Sequence, residues 1–473
     1  MKVAVIGAGP AGMSAAYKLC KSKIPAQVFE AGPSVGGLAK TIELWGQKVD
    51  LGPHRFLSSD RRVNELWLEV VGADYRMVHR LTRIVYRGKF FHYPLKPLEA
   101  FAKLGPLETP RCIGSYIKAR FSPLPLDGSF EAWVVNRFGR RLFEIFFKSY
   151  SEKLWGISCR KLDADFAAQR IKKLTLSEAV KNALRGGRQN RHKTLADEFA
   201  YPIGGTGMVY ERMVASVKQN GGQVHCRQPV RRVLVENNRA TGIELDNGTV
   251  EKFDHIVSTM PITQLVSQLP GVPEKISRSA ESLKFRNTVL VYLEVDSENL
   301  FPDNWVYIHS PDLQMGRISN FRNWVPELHG PAKTTILAIE YWCYDDDALW
   351  QQEDKKTIAL ASQELPRTGL VNGARILSGH VLRIKRCYPV YDIGYKQRLR
   401  PVEEYLSGIS GLSVIGRYGA FKYNNQDHSI LMGILAAENI ASGSKHNLWE
   451  VNTDYDIYQE ATCITKTGLR KQE

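Results

Sequence analysis

Three glycines at the spacing Gly7-Ala8-Gly9-Pro10-Ala11-Gly12 follow the apolar run Lys2-Val3-Ala4-Val5-Ile6, and an acid, Glu30, closes the next apolar run. Residues of these types at this spacing bind phosphate through the main chain. Gly7 lets the chain turn sharply at the end of a strand, Gly9 lets backbone approach a pyrophosphate, and Gly12 lets a helix pack close against the strand. Pro10 and Ala11 open that helix, whose N-terminal amides face the phosphates. Glu30 stands where a carboxylate accepts hydrogen bonds from the adenosine ribose hydroxyls. A dinucleotide site is the chemistry these residues imply.

The residues after Glu30 narrow the dinucleotide. Ala31-Gly32-Pro33-Ser34-Val35 leads to Gly36-Gly37-Leu38, where the glycine pair again admits backbone to a pyrophosphate. This acid-to-Gly-Gly spacing resembles the amine-oxidase-like FAD superfamily, which implies FAD rather than NAD. No second strand–GxGxxG–helix unit occurs, so a built-in NAD(P) domain is not expected. No Cys or His stands in a flavin-attachment context, so the FAD is expected to be held non-covalently.

Around this motif the elements read as an α/β chain: a Rossmann-type FAD-binding domain with interleaved helical and antiparallel-sheet substrate domains. The expected boundaries are FAD-binding segments at 1–80, 201–275 and 401–473, a mostly helical substrate or lid segment at 81–200, and a strand-rich substrate segment at 276–400. Residues 83–97 read as a hairpin turning at Arg87-Gly88-Lys89. Residues 130–150 read as an amphipathic helical region broken at Gly139. The run 254–261 reads as a buried strand returning to the dinucleotide sheet. A last strand, 412–419, ends in Gly416-Arg417-Tyr418-Gly419, and polar residues 424–429 precede a helix over 430–440. That helix start forms a second corner facing the flavin, with Asn425, Asp427 or Ser429 as its cap.

Further motifs from end to end resemble UDP-galactopyranose mutase. Gly52-Pro53-His54-Arg55-Phe56 is similar to that family's loop whose histidine lies beside the flavin; by itself it also reads as a turn with a buried, satisfied histidine. The segment 130–157, FEAWVVNRFGRRLFEIFFKSYSEKLWGI, is similar to the stretch that places a tryptophan, here Trp155, in the substrate cleft. Gly316-Arg317-Ile318-Ser319-Asn320-Phe321 resembles the stretch with a diphosphate-binding arginine, and Tyr388-Pro389 a second diphosphate contact. Gly416-Arg417, Tyr423, Asn425, Gln426, Asp427 and Ser429 resemble the flavin-contacting end. Lys422 stands where mutases usually carry arginine, and 167–172 is like mutase- and protoporphyrinogen-oxidase-like flavoproteins.

The resemblance implies reduced FAD and a diphosphate-bearing sugar, with exchange at the anomeric carbon, Arg317 and Tyr388 on the diphosphate, Tyr423 donating a hydrogen bond, Trp155 against the sugar and His54 orienting the flavin. An external NAD(P)H or other reductant would keep the flavin reduced. A redox flavoenzyme of the amine oxidase or protoporphyrinogen oxidase type, acting on a sugar, amine or other small molecule, is the alternative that the shared scaffold leaves open.

Composition sets the remaining bounds. The 473 residues carry a formal charge of +15, and basic residues concentrate over 160–193. That segment reads as a solvated face, a phosphate-attracting rim with a mobile loop at 185–193, or a membrane-surface patch. No nucleic-acid motif accompanies it, so no nucleic-acid partner is expected. The seven cysteines are widely spaced, with no CxxC or Cys/His pattern, which suits reduced thiols and no metal site. No secretory signal and no apolar run near the roughly 18–20 residues of a membrane span is visible. A cytoplasmic location follows as the expectation, with peripheral contact at the inner membrane face; oligomeric state is not legible.

Overall fold

The computed structural model describes residues 1–165, 198–452 and 462–471. The stretch 167–172, most of the basic segment and the loop expected at 185–193 lie outside the described residues. The chain is α/β and divides into two compact units, each assembled from separated segments. Met1–Val78, Phe199–Lys284 and Lys396–Glu473 make the first; His79–Glu198 and Phe285–Tyr395 make the second.

The first unit is built on a five-stranded parallel sheet in the order Leu412–Val414, His255–Ser258, Val3–Ile6, Ala26–Glu30, Gln223–Cys226. Val3–Ile6 is central and wholly buried, as an unbroken apolar run requires of a parallel strand covered on both faces. The strand His255–Ser258 returns to this sheet as the sequence implies. Helices Pro10–Lys21 and Gln426–Ser442 pack backbone to backbone. A Cβ at Gly433 would stand 2.4 Å from the Ala11 carbonyl oxygen, so only glycine allows the approach. An antiparallel sheet of Val230–Glu236, Arg239–Leu245 and Val250–Lys252 completes the unit's regular β structure beside short hairpins.

Two boundaries differ from the sequence reading. The C-terminal helix begins at Gln426, not Ile430, because the polar run is its first turn: the Asn425 N–H donates to His428 Nδ1 at 3.2 Å in a reciprocal capping box. The last strand ends at Val414, and Gly416–Gly419 is a short helical turn.

The second unit carries a seven-stranded sheet in the order Ile376–Pro389, Phe285–Val295, Thr335–Cys343, Arg317–Asn320, Trp305–Ile308, Thr82–Tyr86, Lys89–His92. Pairings are antiparallel except that between Trp305–Ile308 and Thr82–Tyr86. Val291, Leu293, Ile339, Ala361 and Leu365 belong to the core that joins the sheet to helix Asp354–Arg367. Helix Phe130–Phe138 stops at Gly139, whose φ of +81° admits no ordinary side chain and whose Cβ would lie 2.6 Å from the Tyr116 nitrogen. The chain then continues through Arg140–Phe143, a π turn at Glu144–Lys148 and helix Ser149–Trp155. π turns widen a helix locally and re-aim the side chains beyond them.

Candidate functional site

In the first unit, four segments distant in sequence meet at one helix N-terminus. Gly9 caps helix Pro10–Lys21, with Pro10 at its first position. The Gly36 N–H donates to the Ala8 carbonyl at 2.8 Å, and a Cβ on Gly37 would stand 3.0 Å from the Gly9 Cα. The two glycine motifs therefore abut main chain to main chain. A Cβ at Gly7 would fall 2.1 Å from Thr259 Oγ1, and one at Gly416 would lie 3.1 Å from the Ala11 Cβ. The result is a cradle of small residues at a positive helix end, Gly12 lying in the first turn and Leu38 half-exposed beside Gly37. Glu30 anchors it: its Oε2 accepts from the Ala8 N–H at 2.8 Å and its Oε1 from the Gly32 N–H at 2.7 Å. Each oxygen keeps a second lone pair, the acceptor a ribose hydroxyl needs. These residues fit the pyrophosphate and ribose of FAD.

The C-terminal corner is organised by hydrogen bonds that sequence reading did not find. The Gln426 Oε1 accepts from Thr206 Oγ1 at 3.0 Å and Tyr210 OH at 2.7 Å, while its Nε2 donates to the His54 carbonyl at 3.0 Å. Gln426 thus ties the His54 loop to the start of helix Gln426–Ser442, and its side chain is taken up by protein partners. Asp427 and Ser429 are buried in that first turn. Behind them sits Asp50, fully buried, accepting from Thr41 Oγ1 at 2.6 Å, Tyr201 OH at 2.7 Å and the Thr206 N–H at 3.2 Å. Burial outweighs those three donors and lifts its carboxyl to about 7. Arg417 lies over the Tyr423 ring at 4.4 Å and donates to the Asn424 carbonyl at 2.8 Å. Lys422 turns instead to the carbonyls of Trp449 and Val451, and burial pushes its ammonium down to about 8. Its role is structural.

The second unit brings Trp155, Arg317 and Tyr388 together. Arg317 and Glu340 are register partners on adjacent antiparallel strands. Nε and Nη2 donate to the two carboxylate oxygens at 2.6 Å each, a planar fork. Burial alone would lower the Arg317 guanidinium, but Glu340 outweighs it and holds the group above the usual arginine range. Nη2 also reaches Tyr388 OH at 3.4 Å. The Tyr388 ring is edge-on to Trp155 at 6.2 Å and to Trp342 at 6.2 Å, and Tyr150 is edge-on to Trp342 at 5.6 Å. Trp155 is fully buried, with one face covered by Tyr391.

A second arginine holds this wall in place. Arg286, the register partner of Tyr388, donates to the carbonyls of Trp342 at 2.6 Å and Lys153 at 3.2 Å, and its guanidinium lies 4.1 Å from the Tyr344 ring centroid. It caps the end of helix Ser149–Trp155, where unpaired carbonyls favour a cation. A Cβ at Gly156 would meet that guanidinium at 2.5 Å, which explains the glycine after Trp155. Glu340 left one trace in the sequence, a lone acid inside an apolar strand; Asp50, at the end of the strand Gln47–Asp50, left none. Arg286 left none.

Comparison with known proteins settles the family. A model of flavin containing amine oxidoreductases matches residues 10–440. The chain belongs to the flavin-containing amine oxidoreductase family. Its cofactor is FAD, and it is an enzyme of that FAD-dependent superfamily. This family member is 21% identical over 467 residues to coproporphyrinogen III oxidase of Staphylococcus aureus, covering 93% of this chain and 98% of the relative. Its fold is similar to that of reduced UDP-galactopyranose mutase, with a TM-score of 0.84, 20% identity and coverage of 97% and 98%. Putrescine oxidase bound to putrescine is similar at a TM-score of 0.62 and 16% identity, with coverage of 93% and 99%. At these identities the two structures speak for the fold.

Proposed function

We propose that this FAD enzyme acts on a diphosphate-linked sugar, exchanging ring forms at the anomeric carbon without net oxidation. The observation that carries the reading is the Arg317–Tyr388 pair beside tryptophan side chains. A guanidinium fixed in its plane by Glu340 keeps Nη1 without a partner among the described residues. A phenol hydroxyl lies next to it, and indole rings flank the phenol. Fixed N–H and O–H donors suit phosphate oxygens, and aromatic surface suits a sugar ring. Glu340, the carboxylate beside Tyr388, is committed to the Arg317 guanidinium and is not left to pair with a cationic amine.

Reduced FAD, when bound, supplies the electron-rich centre for exchange at the anomeric carbon, kept reduced by NAD(P)H or another external donor. The chain's own residues bind and orient. Gly7, Gly9 and Gly37 admit the pyrophosphate, Glu30 holds the ribose, and the helix start at Gln426 with Arg417 and Tyr423 meets the flavin end. The Gln426 bridge fixes the His54 loop, so His54 orients the ring system. Arg286 and Tyr344 hold Trp155 where Tyr388 packs on it.

A second reading is favoured by the near-full-length relative: oxidation of a carboxylate-rich tetrapyrrole such as coproporphyrinogen III. The same fixed N–H and O–H donors of Arg317 and Tyr388 could also meet a carboxylate of such a substrate. Calorimetric titration of the dithionite-reduced holoenzyme decides between them. Saturable binding of a UDP-hexopyranose and of UDP, with none of coproporphyrin III, supports the sugar reading; the reverse pattern rejects it.

A further inference from the structure

Helix Glu108–Phe121 in the second unit is apolar on two sides. One side is packed: Cys112 and Ala119 are buried, and Glu108 bonds to Arg141 at 2.5 Å. The other is bare. Leu107 at the helix cap is 78% exposed, Ile113 44%, Ile117 48% and Phe121 87%. With 3.6 residues per turn, these four side chains project within an arc of about 120°. Its midpoint lies opposite Cys112 and Ala119.

The charges on the helix follow the same geometry. Arg120 falls on one edge of the bare arc, and Lys118 and Arg111 fall on the other. Glu108, the helix's acid, lies on the packed side. The exposed face is therefore an apolar stripe bordered by cations on both edges, with no acid among it. Immediately beyond the helix Leu126 is 83% exposed. Such a face costs free energy in water, and among the described residues these four side chains stay exposed.

We propose that this face is a peripheral membrane-docking surface that takes an anionic phospholipid bilayer. The apolar stripe enters the acyl boundary while Arg111, Lys118 and Arg120 lie at the level of the phosphates. Charge complementarity favours lipid over another protein's apolar face: cations line both edges, and the whole chain carries +15. The helix lies in the interface and does not cross it; no helix among the described residues is long and apolar enough to span a membrane. The surface is separate from the basic run at 160–193, and it does not depend on which substrate the enzyme takes.

The test is sedimentation of the full-length FAD-loaded protein with vesicles. One set is phosphatidylcholine alone and the other an equal mixture with phosphatidylglycerol. The protein should pellet with the mixed vesicles, less so as salt rises, and hardly with phosphatidylcholine. Ile113→Ser/Ile117→Ser/Phe121→Ser should lower the pelleted fraction at least about tenfold, since each side chain contributes the burial of several methylenes. Lys118→Glu/Arg120→Glu should abolish the preference for the anionic lipid. Phe121→Trp, a change that leaves the stripe apolar, should show a blue shift in emission only with the mixed vesicles, which covers the case of a triple variant that fails to fold. Absence of binding, binding that the triple variant retains, or a dimer in solution that the triple variant converts to monomer without any vesicle binding would each overturn the proposal.

Discussion

Arg317 and Glu340 face each other across two antiparallel strands and share two hydrogen bonds of 2.6 Å, and Glu340 is 2% exposed. The arginine that the sequence suggests for substrate is also the counter-ion of a buried carboxylate. Its removal is therefore a stability event first. Arg317→Ala should destabilise the protein by about 3–5 kcal/mol, because it strands Glu340 without a partner. Arg317→Ala/Glu340→Ala should be more stable than Arg317→Ala alone. Thermal melts of the single and double variants check this, and additive losses would show that the pair is not coupled.

Arg317→Lys is the cleaner probe of substrate. Lysine keeps a cation opposite Glu340 but loses the planar fork, so the directed donors toward a diphosphate disappear. The FAD absorbance should be unchanged, while affinity for the substrate falls at least about tenfold, a loss of roughly 1.4 kcal/mol. Arg417→Lys, on the ring of Tyr423, should instead perturb the flavin spectrum. Equal effects of the two on flavin would merge what the structure separates.

Two glycines of one motif should fail differently. A Cβ at Gly9 would have its nearest protein neighbour, the Gly37 Cα, at an ordinary 3.8 Å, whereas one at Gly12 would stand 2.0 Å from the Gly7 carbonyl oxygen. Gly9→Val should give a folded protein that purifies largely without FAD. Gly12→Ala should lower the melting temperature of the apo-protein itself. Flavin-to-protein ratios and apo-protein melts distinguish the two outcomes.

Asp50 makes the first unit sensitive to pH. Its carboxyl is raised to about 7 by burial, above its value of about 4 in an unfolded chain. A raised value means the folded state holds the proton more tightly. The contribution of Asp50 is thus fully present below about pH 4 and is lost as pH climbs to about 7. Asp50→Asn cannot ionise. Relative to the parent it should gain up to about 1.4 kcal/mol per pH unit across that interval and nothing above it. Melts of both proteins from pH 5 to about 8 measure the difference; parallel curves would show that Asp50 does not titrate there.

The glycine cradle at the helix start was legible because each of its parts is local. A glycine's freedom, a proline at a helix start and an acid at a strand end act within a few residues, so Gly7, Gly9, Gly12, Glu30 and Gly36-Gly37 could be read directly. That the two glycine stretches abut, and that Glu30 ties Ala8 to Gly32, are consequences of packing and could not. The helix start at Gln426 was missed because a polar first turn reads as loop until its capping partner is known. Gln426 itself was singled out for the cofactor, yet its side chain bridges Thr206, Tyr210 and the His54 loop, partners more than 200 residues away in sequence. Glu340 and Arg286 were missed for a related reason: strand register, which no spacing within one segment reveals, puts them against Arg317 and Tyr388.

Electron balance at a diphosphate sugar separates ring exchange from oxidation. The direct measurement incubates the holoenzyme, reduced with dithionite under anaerobic conditions, with a UDP-hexopyranose, and counts both ring-contracted product and electrons transferred to any acceptor. A diphosphate-sugar mutase gives many turnovers per enzyme with the flavin still reduced and no acceptor consumed. Absence of that product, together with one two-electron acceptor or one oxygen consumed for each pair of electrons taken from coproporphyrinogen III or another substrate, would overturn the mutase reading.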